Sequence, residues 1–286
     1  MATGSTAAES VGGTVVSGAG PVLRSSTALY DSLALTYDEH YRVPHRRAYD
    51  DLSWTFCTAA LPPPPAVVVD LGCGVGRWAQ RLLSSGYTVV GIEPSPRMAE
   101  QAAARLSRWS GAAFTLVPVP VEEVELAPGS VDAVLAIGSL QYTDDPAATL
   151  RRVAHWMRPG AALCVLVDSL NALVLELLAE GRQTEAVERL TSRRGTWCVA
   201  GVEADLHLFD QAALRSVVVD AGIDVVQGAG LLVGASAYGR EELNRKLLAD
   251  YDGTLAAERA LAHVPAVADL GKQLLMVGRR AARPTR

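Results

Sequence analysis

Asp70, Gly72, Gly74, Gly76 and Glu93 are the residues whose types and spacing carry chemistry. Three glycines at alternate positions let a backbone turn tightly and approach a ligand with no Cβ in the way, so that main-chain N–H groups form a cradle. Glu93 lies about twenty residues further on, where a carboxylate takes both hydroxyls of an adenosine ribose. Asp70, just ahead of the first glycine, suits a ligand that also carries an ammonium group. A dinucleotide fingerprint asks for its third glycine after two intervening residues, whereas here the spacing is Gly72-x-Gly74-x-Gly76 and Arg77 follows.

The elements that must position these groups are legible around them. Val67, Val68 and Val69 make a short β-branched run, as expected of a strand buried on both faces of a parallel sheet. Arg77 to Ser84 resumes a helical pattern, and Tyr87 to Ile92 reads as a second strand ending at Glu93. The run Asp70-Leu71-Gly72-Cys73-Gly74-Val75-Gly76, with Glu93 behind it, resembles the cofactor motif of class I S-adenosylmethionine-dependent methyltransferases. Further blocks fall in that family's order. Gly129 to Ala136 is similar to its fourth strand, and Leu150 to Val167, with Arg158-Pro159-Gly160 inside, is similar to its helix, turn and fifth strand.

The resemblance implies an α/β fold: a Rossmann-like, doubly wound, seven-stranded and mostly parallel sheet with helices on both faces and an antiparallel C-terminal hairpin. It implies S-adenosyl-L-methionine as cofactor and S-adenosyl-L-homocysteine as product. The cofactor site is expected from Asp70, Gly72, Cys73 and Gly74 in the loop, from Glu93 and Pro94 after the second strand, and from Gly138 after the fourth. Tyr37, in a Tyr37-Asp38 pair preceded by Tyr30, resembles the aromatic of an N-terminal lid over the cofactor; the plainer reading is that Tyr30 and Tyr37 share the apolar face of a helix. Met98 packs on adenine and ribose in the family pattern, or simply fills the core. The family places an Asp after the third strand to bond the adenine amino group. Pro120 stands there and cannot, so Val121 and Glu122 take over that part of the expected site.

Composition narrows the class. The chain has 286 residues, 26 basic against 31 acidic, and 49% apolar content, ordinary for a globular protein with a large core. A net charge of −5 gives no general attraction to phosphate backbones, which argues against nucleic acid as partner. Cys57, Cys73, Cys164 and Cys198 are scattered without a C-x-x-C pair, so neither a zinc site nor a disulfide framework is suggested and a cytoplasmic location fits. His40 and His45, five apart with no third ligand nearby, do not suggest a metal site. No membrane span or signal peptide is expected.

In chain order, we expect a flexible tail over 1–24 and a helical lid over 25–65, with helices at Ala28 to Asp38 and Pro44 to Ala60 stopped by Pro62 to Pro65. The binding core follows over 66–168. A helical insertion over 169–205 is expected to shape an acceptor pocket, then the rest of the sheet over 206–280 and a basic tail over 281–286. Tyr30, Gln141 and Trp197 are candidate acceptor contacts, with Asp168 and Ser169 facing the same site. His207 is a candidate general base because a neutral imidazole titrates near neutrality, and equally a hydrogen-bonded structural histidine. Tyr142 is a second candidate catalytic group. Arg182, Arg189, Arg193 and Arg194 suit an acidic acceptor or RNA, or a solvated face.

The expectation is therefore a methyltransferase acting on a small molecule, as monomer or homodimer. An RNA-modifying methyltransferase, a nicotinamide oxidoreductase, another Rossmann-like binder and a non-catalytic cofactor-binding protein remain as rivals. In-line transfer asks mainly that acceptor and methyl be held about 3 to 3.5 Å apart with water excluded, and demands no particular nucleophile of the protein.

Overall fold

A computed structural model describes residues 25–282 together with Thr14–Val15. Its strands are β1 (Thr14–Val15), β2 (Val67–Leu71), β3 (Thr88–Ile92), β4 (Phe114–Val117), β5 (Val131–Ile137), β6 (Met157–Asp168), β7 (Arg194–Val199), β8 (Val202–His207), β9 (Ile223–Leu231) and β10 (Gln273–Arg280). Seven of them form one sheet in the order β4-β3-β2-β5-β6-β10-β9. The pairs from β4 through β6 are parallel, and β10 runs antiparallel to both β6 and β9. This is the Rossmann-like sheet with the antiparallel end that the resemblance implies.

Alternation along the strands builds two cores. Val68 and Val69 are both fully buried, yet they join different clusters on opposite faces of the sheet. On one face lie α2 (Pro44–Thr58), α3 (Arg77–Ser84) and the end of α4 (Pro96–Leu106), through Leu52, Phe56, Leu82 and Leu106. On the other lie α5 (Pro146–Trp156), through Leu150 and Val153, and a later helix, Gln211–Asp220, through Leu214 and Val218. Ser95 and Asp145 cap α4 and α5 with side-chain acceptors, and a proline opens each first turn.

The lid differs from its expected form. The first helix, α1 (Thr27–Leu33), ends early, and Tyr37–Arg42 is a 3-10 turn rather than its continuation. Tyr30 and Tyr37 therefore do not share one helix face. The chain is turned there by tight backbone bonds from Thr36 N–H to the Leu33 carbonyl and from Glu39 N–H to the Thr36 carbonyl. Ion pairs hold the lid down: Asp38 to Arg77 and Arg105, and Asp50 to Arg77 at 3.2 Å and Arg81 at 3.1 Å. Asp31 accepts from the Ser95 hydroxyl and from Arg97 N–H.

The insertion also departs from a purely helical reading. α6 (Leu170–Ala179) and α7 (Gln183–Ser192) are separated at Gly181, which takes φ +75°. After them β7 and β8 form an antiparallel hairpin whose two-residue turn, Ala200-Gly201, has positive φ at both positions, as type I′ turns require. Four further helices complete the chain: α8 (Gln211–Asp220), α9 (Val233–Tyr238), α10 (Arg240–Ala249) and α11 (Tyr251–Leu261), followed by the single turn α12 (Pro265–Ala268). Within the expected 1–24 tail, Thr14 and Val15 pair with Cys198 and Trp197, so this stretch is a strand and not a free coil. Otherwise that tail, and 283–286 of the final one, lie outside the described residues. No helix among the described residues is long and apolar enough to cross a membrane.

Candidate active site

The sheet order reverses between β2 and β5, and the loops leaving their carboxyl ends meet there. Gly72, at φ +73°, lies so close to the β5 loop that a Cβ on it would sit 2.5 Å from Ser139 Cβ. Gly72 and Cys73 N–H groups both donate to the Ile92 carbonyl, fixing the glycine loop to β3. A Cβ on Gly74 would meet only a Tyr37 ring carbon, at 4.0 Å, so the loop offers an open approach beneath the lid.

A cavity of about 330 Å³ lies over these loop ends. Tyr37, Gly72, Gly74, Glu93 and Pro94 line it, as do Val121, Glu122 and Gly138. Glu93 is buried, and its oxygens accept from Gly74 N–H at 2.8 Å and Ser95 N–H at 2.9 Å. A carboxylate has about four lone-pair sites, so two remain for the hydroxyls of a ribose. Burial pushes the Glu93 carboxyl up from its ordinary range, while the two backbone donors pull it back.

Asp70, Cys73 and Met98 take other places. Asp70 is only 3% exposed and does not line the cavity; one of its oxygens, Oδ2, has no hydrogen-bond partner. Burial, and then the Glu93 charge, push its carboxyl up to about 7. Cys73 turns its sulfur under the loop toward Gly91. Met98 is fully buried with Leu29, Leu33 and Val75, so it packs the lid helix onto α4 instead of touching the cavity. The orphaned Asp70 oxygen, the open cradle at Gly74 and the paired Glu93 suit a ligand with an ammonium end and a ribose, and thus fit S-adenosylmethionine. Sequence reasoning missed Ser25, Ser26 and Thr27, which reach this cavity from the start of the lid, and Thr143 and Asp144 after β5.

A second cavity, about 170 Å³, adjoins the first, and Tyr30, Tyr37, Gly138 and Tyr142 line both. The Tyr30 ring stands edge-on to Tyr142, Tyr37 and Trp197, with centroids 5.6, 6.3 and 5.8 Å away. Trp197 and Gln141 line this second chamber, and Leu173, Leu206 and Leu208 give it an apolar wall from the insertion. Gln141 holds Asp168 at both ends: its Nε2 donates to Asp168 Oδ2 at 2.7 Å, and its Oε1 accepts from Asp168 N–H at 2.8 Å. Burial pushes the Tyr30, Tyr37, Tyr49 and Tyr142 phenols well up, so they are donors and not bases near neutral pH.

His207 lines neither cavity. Its Nε2 lies 3.1 Å from the Thr143 carbonyl and 3.0 Å from Arg194, and burial followed by the Arg194 charge pushes the imidazole down. It is a buttress between the hairpin and the β5 loop. The arginines of the insertion are also engaged elsewhere, Arg182 and Arg189 with Glu185 and Arg193 with Asp210. Asp168 reaches the chamber as expected; the other charged residues that do so, Arg46, Glu176, Arg240 and Lys272, come from segments without any local signature. Among the described residues no group of three or more His, Cys, Asp or Glu side chains is placed to hold a metal.

The sheet, the glycine cradle and the acid at the end of β3 define the core of this chain as a class I S-adenosylmethionine-dependent methyltransferase domain, and residues 69–163 match the family model for a methyltransferase domain. The chain is 34% identical over 155 residues to methyltransferase-like protein 27 of Homo sapiens, an alignment covering 51% of this chain and 58% of that protein. It is 34% identical over 124 residues to the tRNA U34 carboxymethyltransferase of Saccharophagus degradans, covering 40% and 36%. The chain thus spans 58% and 36% of these relatives' length. In fold it is similar to a chain of the complex between the Haloferax volcanii Trm112 methyltransferase activator and a methyltransferase, with TM-score 0.60, 19% identity, and coverage of 92% of this chain and 100% of that one.

Proposed function

We propose that this protein moves the methyl group of S-adenosylmethionine to a small-molecule acceptor held in the second chamber. The observation that carries the reading is the shared wall: a cradle fitted to the cofactor adjoins a second, partly apolar chamber through Tyr30, Tyr37, Gly138 and Tyr142. When bound, the cofactor supplies a methyl already activated by a sulfonium. The chain's own residues do the remainder. Glu93 and the Gly74 backbone hold the nucleoside end, and Asp70 lies beneath the loop as counter-charge for the ammonium. Glu122 and Val121 flank the adenine side, where Pro120 leaves no side-chain donor or acceptor.

The tyrosines orient the acceptor and exclude water. As protonated phenols they donate to acceptor oxygens but withdraw no proton, so the acceptor atom enters as a nucleophile in its own right. The lid, pinned by Asp31, Asp38 and Asp50, covers the chamber on the side of Tyr30, Tyr37 and Tyr49 and so reduces the water that reaches it. The chamber's small volume, about 170 Å³ between lid and insertion, favours a compact acceptor over an RNA strand, although one relative acts on tRNA. Four free cysteines support a reducing, cytoplasmic setting.

The test is calorimetric titration with S-adenosylhomocysteine, with NADH as control, followed by mass-spectrometric detection of methyl transfer in acceptor pools of small metabolites and of tRNA. Micromolar binding of the first ligand, none of the second, and a 14 Da gain on a small molecule are expected. Binding of NADH alone would overturn the cofactor reading; methylation confined to tRNA would overturn the acceptor reading.

A further inference from the structure

Among the described residues, one cation of the acceptor chamber has no hydrogen-bond or ion-pair partner. Three cationic side chains, Arg46, Arg240 and Lys272, and two carboxylates, Asp168 and Glu176, line it. Arg240 and Lys272 are both committed to Glu176, Arg240 through a forked contact at 3.1 to 3.2 Å. Asp168 is also provided for, since Gln141 donates to one oxygen and Gln273 to the other at 3.3 Å. Arg46 alone among these has no hydrogen bond or ion pair from its guanidinium to any described residue. It stands at the start of α2, half-buried, within electrostatic reach of Tyr37, Tyr41, Tyr49 and Asp168.

Resting on the methyltransferase reading, we propose that Arg46 is the recognition residue for a carboxylate on the acceptor, so that the substrates of this enzyme are small organic acids. A guanidinium offers five N–H donors in a planar fork that matches a carboxylate, and it gains most where water is scarce. Here the fork faces a chamber and not a protein acceptor. Three cations against two carboxylates leave the chamber one net positive charge, which suits a monoanion; a phosphate dianion would turn it net negative, with Arg240 and Lys272 already sharing Glu176. An amine acceptor is disfavoured because Asp168, its natural partner, is already met by two amide donors and lies near Arg46. Arg46 does not line the first cavity, so it is not reserved for the cofactor's own carboxylate.

A second observation points the same way. His45, next to Arg46, is pushed down to about 4 by burial and by the charges of Arg46, Arg240 and Lys272 against the raising effect of its bond to Asn244. With three cations and two carboxylates on its walls, the chamber is itself net positive. The opposite wall, Leu173, Leu206, Leu208 and Trp197, is apolar. The acceptor that matches both is a flat or branched hydrocarbon body ending in an ionised acid.

The experiment loads the protein with S-adenosylhomocysteine and titrates three probes of one shape, benzoate, benzamide and benzylamine, into wild type and into Arg46→Gln and Arg46→Lys. Benzoate is expected to bind about tenfold or more tighter than benzamide, with benzylamine weakest, in line with a charge-assisted hydrogen bond. Arg46→Gln should erase the preference and Arg46→Lys should keep part of it, with the melting temperature and S-adenosylhomocysteine affinity unmoved. Equal binding of benzoate and benzamide, a preference for benzylamine, no binding of any probe, or a preference that survives Arg46→Gln would overturn the proposal. If wild type fails to bind S-adenosylhomocysteine, the cofactor reading falls separately. The same probe series on the unloaded protein then decides the role of Arg46.

Discussion

The two cavities that meet at the tyrosine wall are built from different materials. The cofactor cavity is made largely of backbone: glycines at φ +73° and +55°, N–H groups aimed at Glu93, and short loops at the ends of adjacent strands. The acids buried at its wall and behind its loop are Glu93 and Asp70. The proposed acceptor chamber is made of side chains from the lid, the insertion, α10 and β10, and among the described residues its unpaired charge is positive. A main-chain cradle tolerates little change in shape, whereas a side-chain chamber is open to substitution.

The sharpest way to break that contrast is Gly72→Val. The new side chain would begin 2.5 Å from Ser139 Cβ in a left-handed backbone conformation. Strain and overpacking of that kind cost about 2 to 4 kcal/mol together, so S-adenosylhomocysteine affinity should fall by about 30-fold to several hundredfold in calorimetry. A change of comparable size on the chamber side, Leu208→Ala, should leave cofactor affinity within about threefold. If both variants bind the cofactor equally well, the division of labour is wrong.

Glu93→Ala comes next. It removes a carboxylate that caps two backbone donors and faces the ribose, and cofactor binding should weaken by about 1 to 3 kcal/mol. Unchanged affinity would remove Glu93 from the site despite its place on the wall.

How much of this was readable in advance follows from the same contrast. The glycine loop, the pair Glu93-Pro94 and Gly138 announce themselves because each directly follows an apolar strand run and its local demands select residue types. Met98 misled because its spacing from Glu93 serves a lid contact as well as a cofactor contact, and only the position of α1 decides between them. The β7–β8 hairpin was legible in principle from Ala200-Gly201, but the charged α7 ahead of it masks the strand pattern. Arg46 could not have been found. It lies between His45 and Arg47 on an ordinary helix start, and its meaning depends on which arginines elsewhere already have partners.

The opposite buried charges also give the cavities opposite pH responses. Asp70, pushed up to about 7, holds a proton in the folded state that the unfolded carboxyl has released above pH ~4, so its contribution to stability falls as pH rises from ~4 to ~7. His45, pushed down to about 4, refuses a proton that the unfolded imidazole takes below pH ~6.5, so stability falls as pH drops from ~6.5 to ~4. Each slope is limited to about 1.4 kcal/mol per pH unit, and in wild type they oppose. Relative to wild type, melting temperatures should therefore rise with pH in Asp70→Asn and fall with pH in His45→Gln. Added S-adenosylhomocysteine, whose ammonium favours ionised Asp70, should stabilise wild type more at pH 7 than at pH 5, and this gain should vanish in Asp70→Asn. A wild-type response in both variants would show that neither group is perturbed.

The smallest expected effect belongs to His207, and it tests the border between the regions. Its ring bridges the Thr143 carbonyl, on the cofactor side, and Arg194, on the hairpin that carries Trp197. His207→Ala deletes those contacts in a partly buried site, costing about 0.5 to 1.5 kcal/mol of stability, the range for ordinary side-chain hydrogen bonds. Once an acceptor is known, kcat should stay within about twofold, because no proton route leads from a ring outside both cavities to an acceptor inside one. His207→Asn should recover part of the lost stability through the Thr143 carbonyl. A fall in kcat of about a hundredfold or more, with cofactor and acceptor affinities unchanged, would instead make His207 the base of the reaction. The lid and hairpin would then have to move enough to bring it to the chamber, and the closed geometry would be only one of two working states.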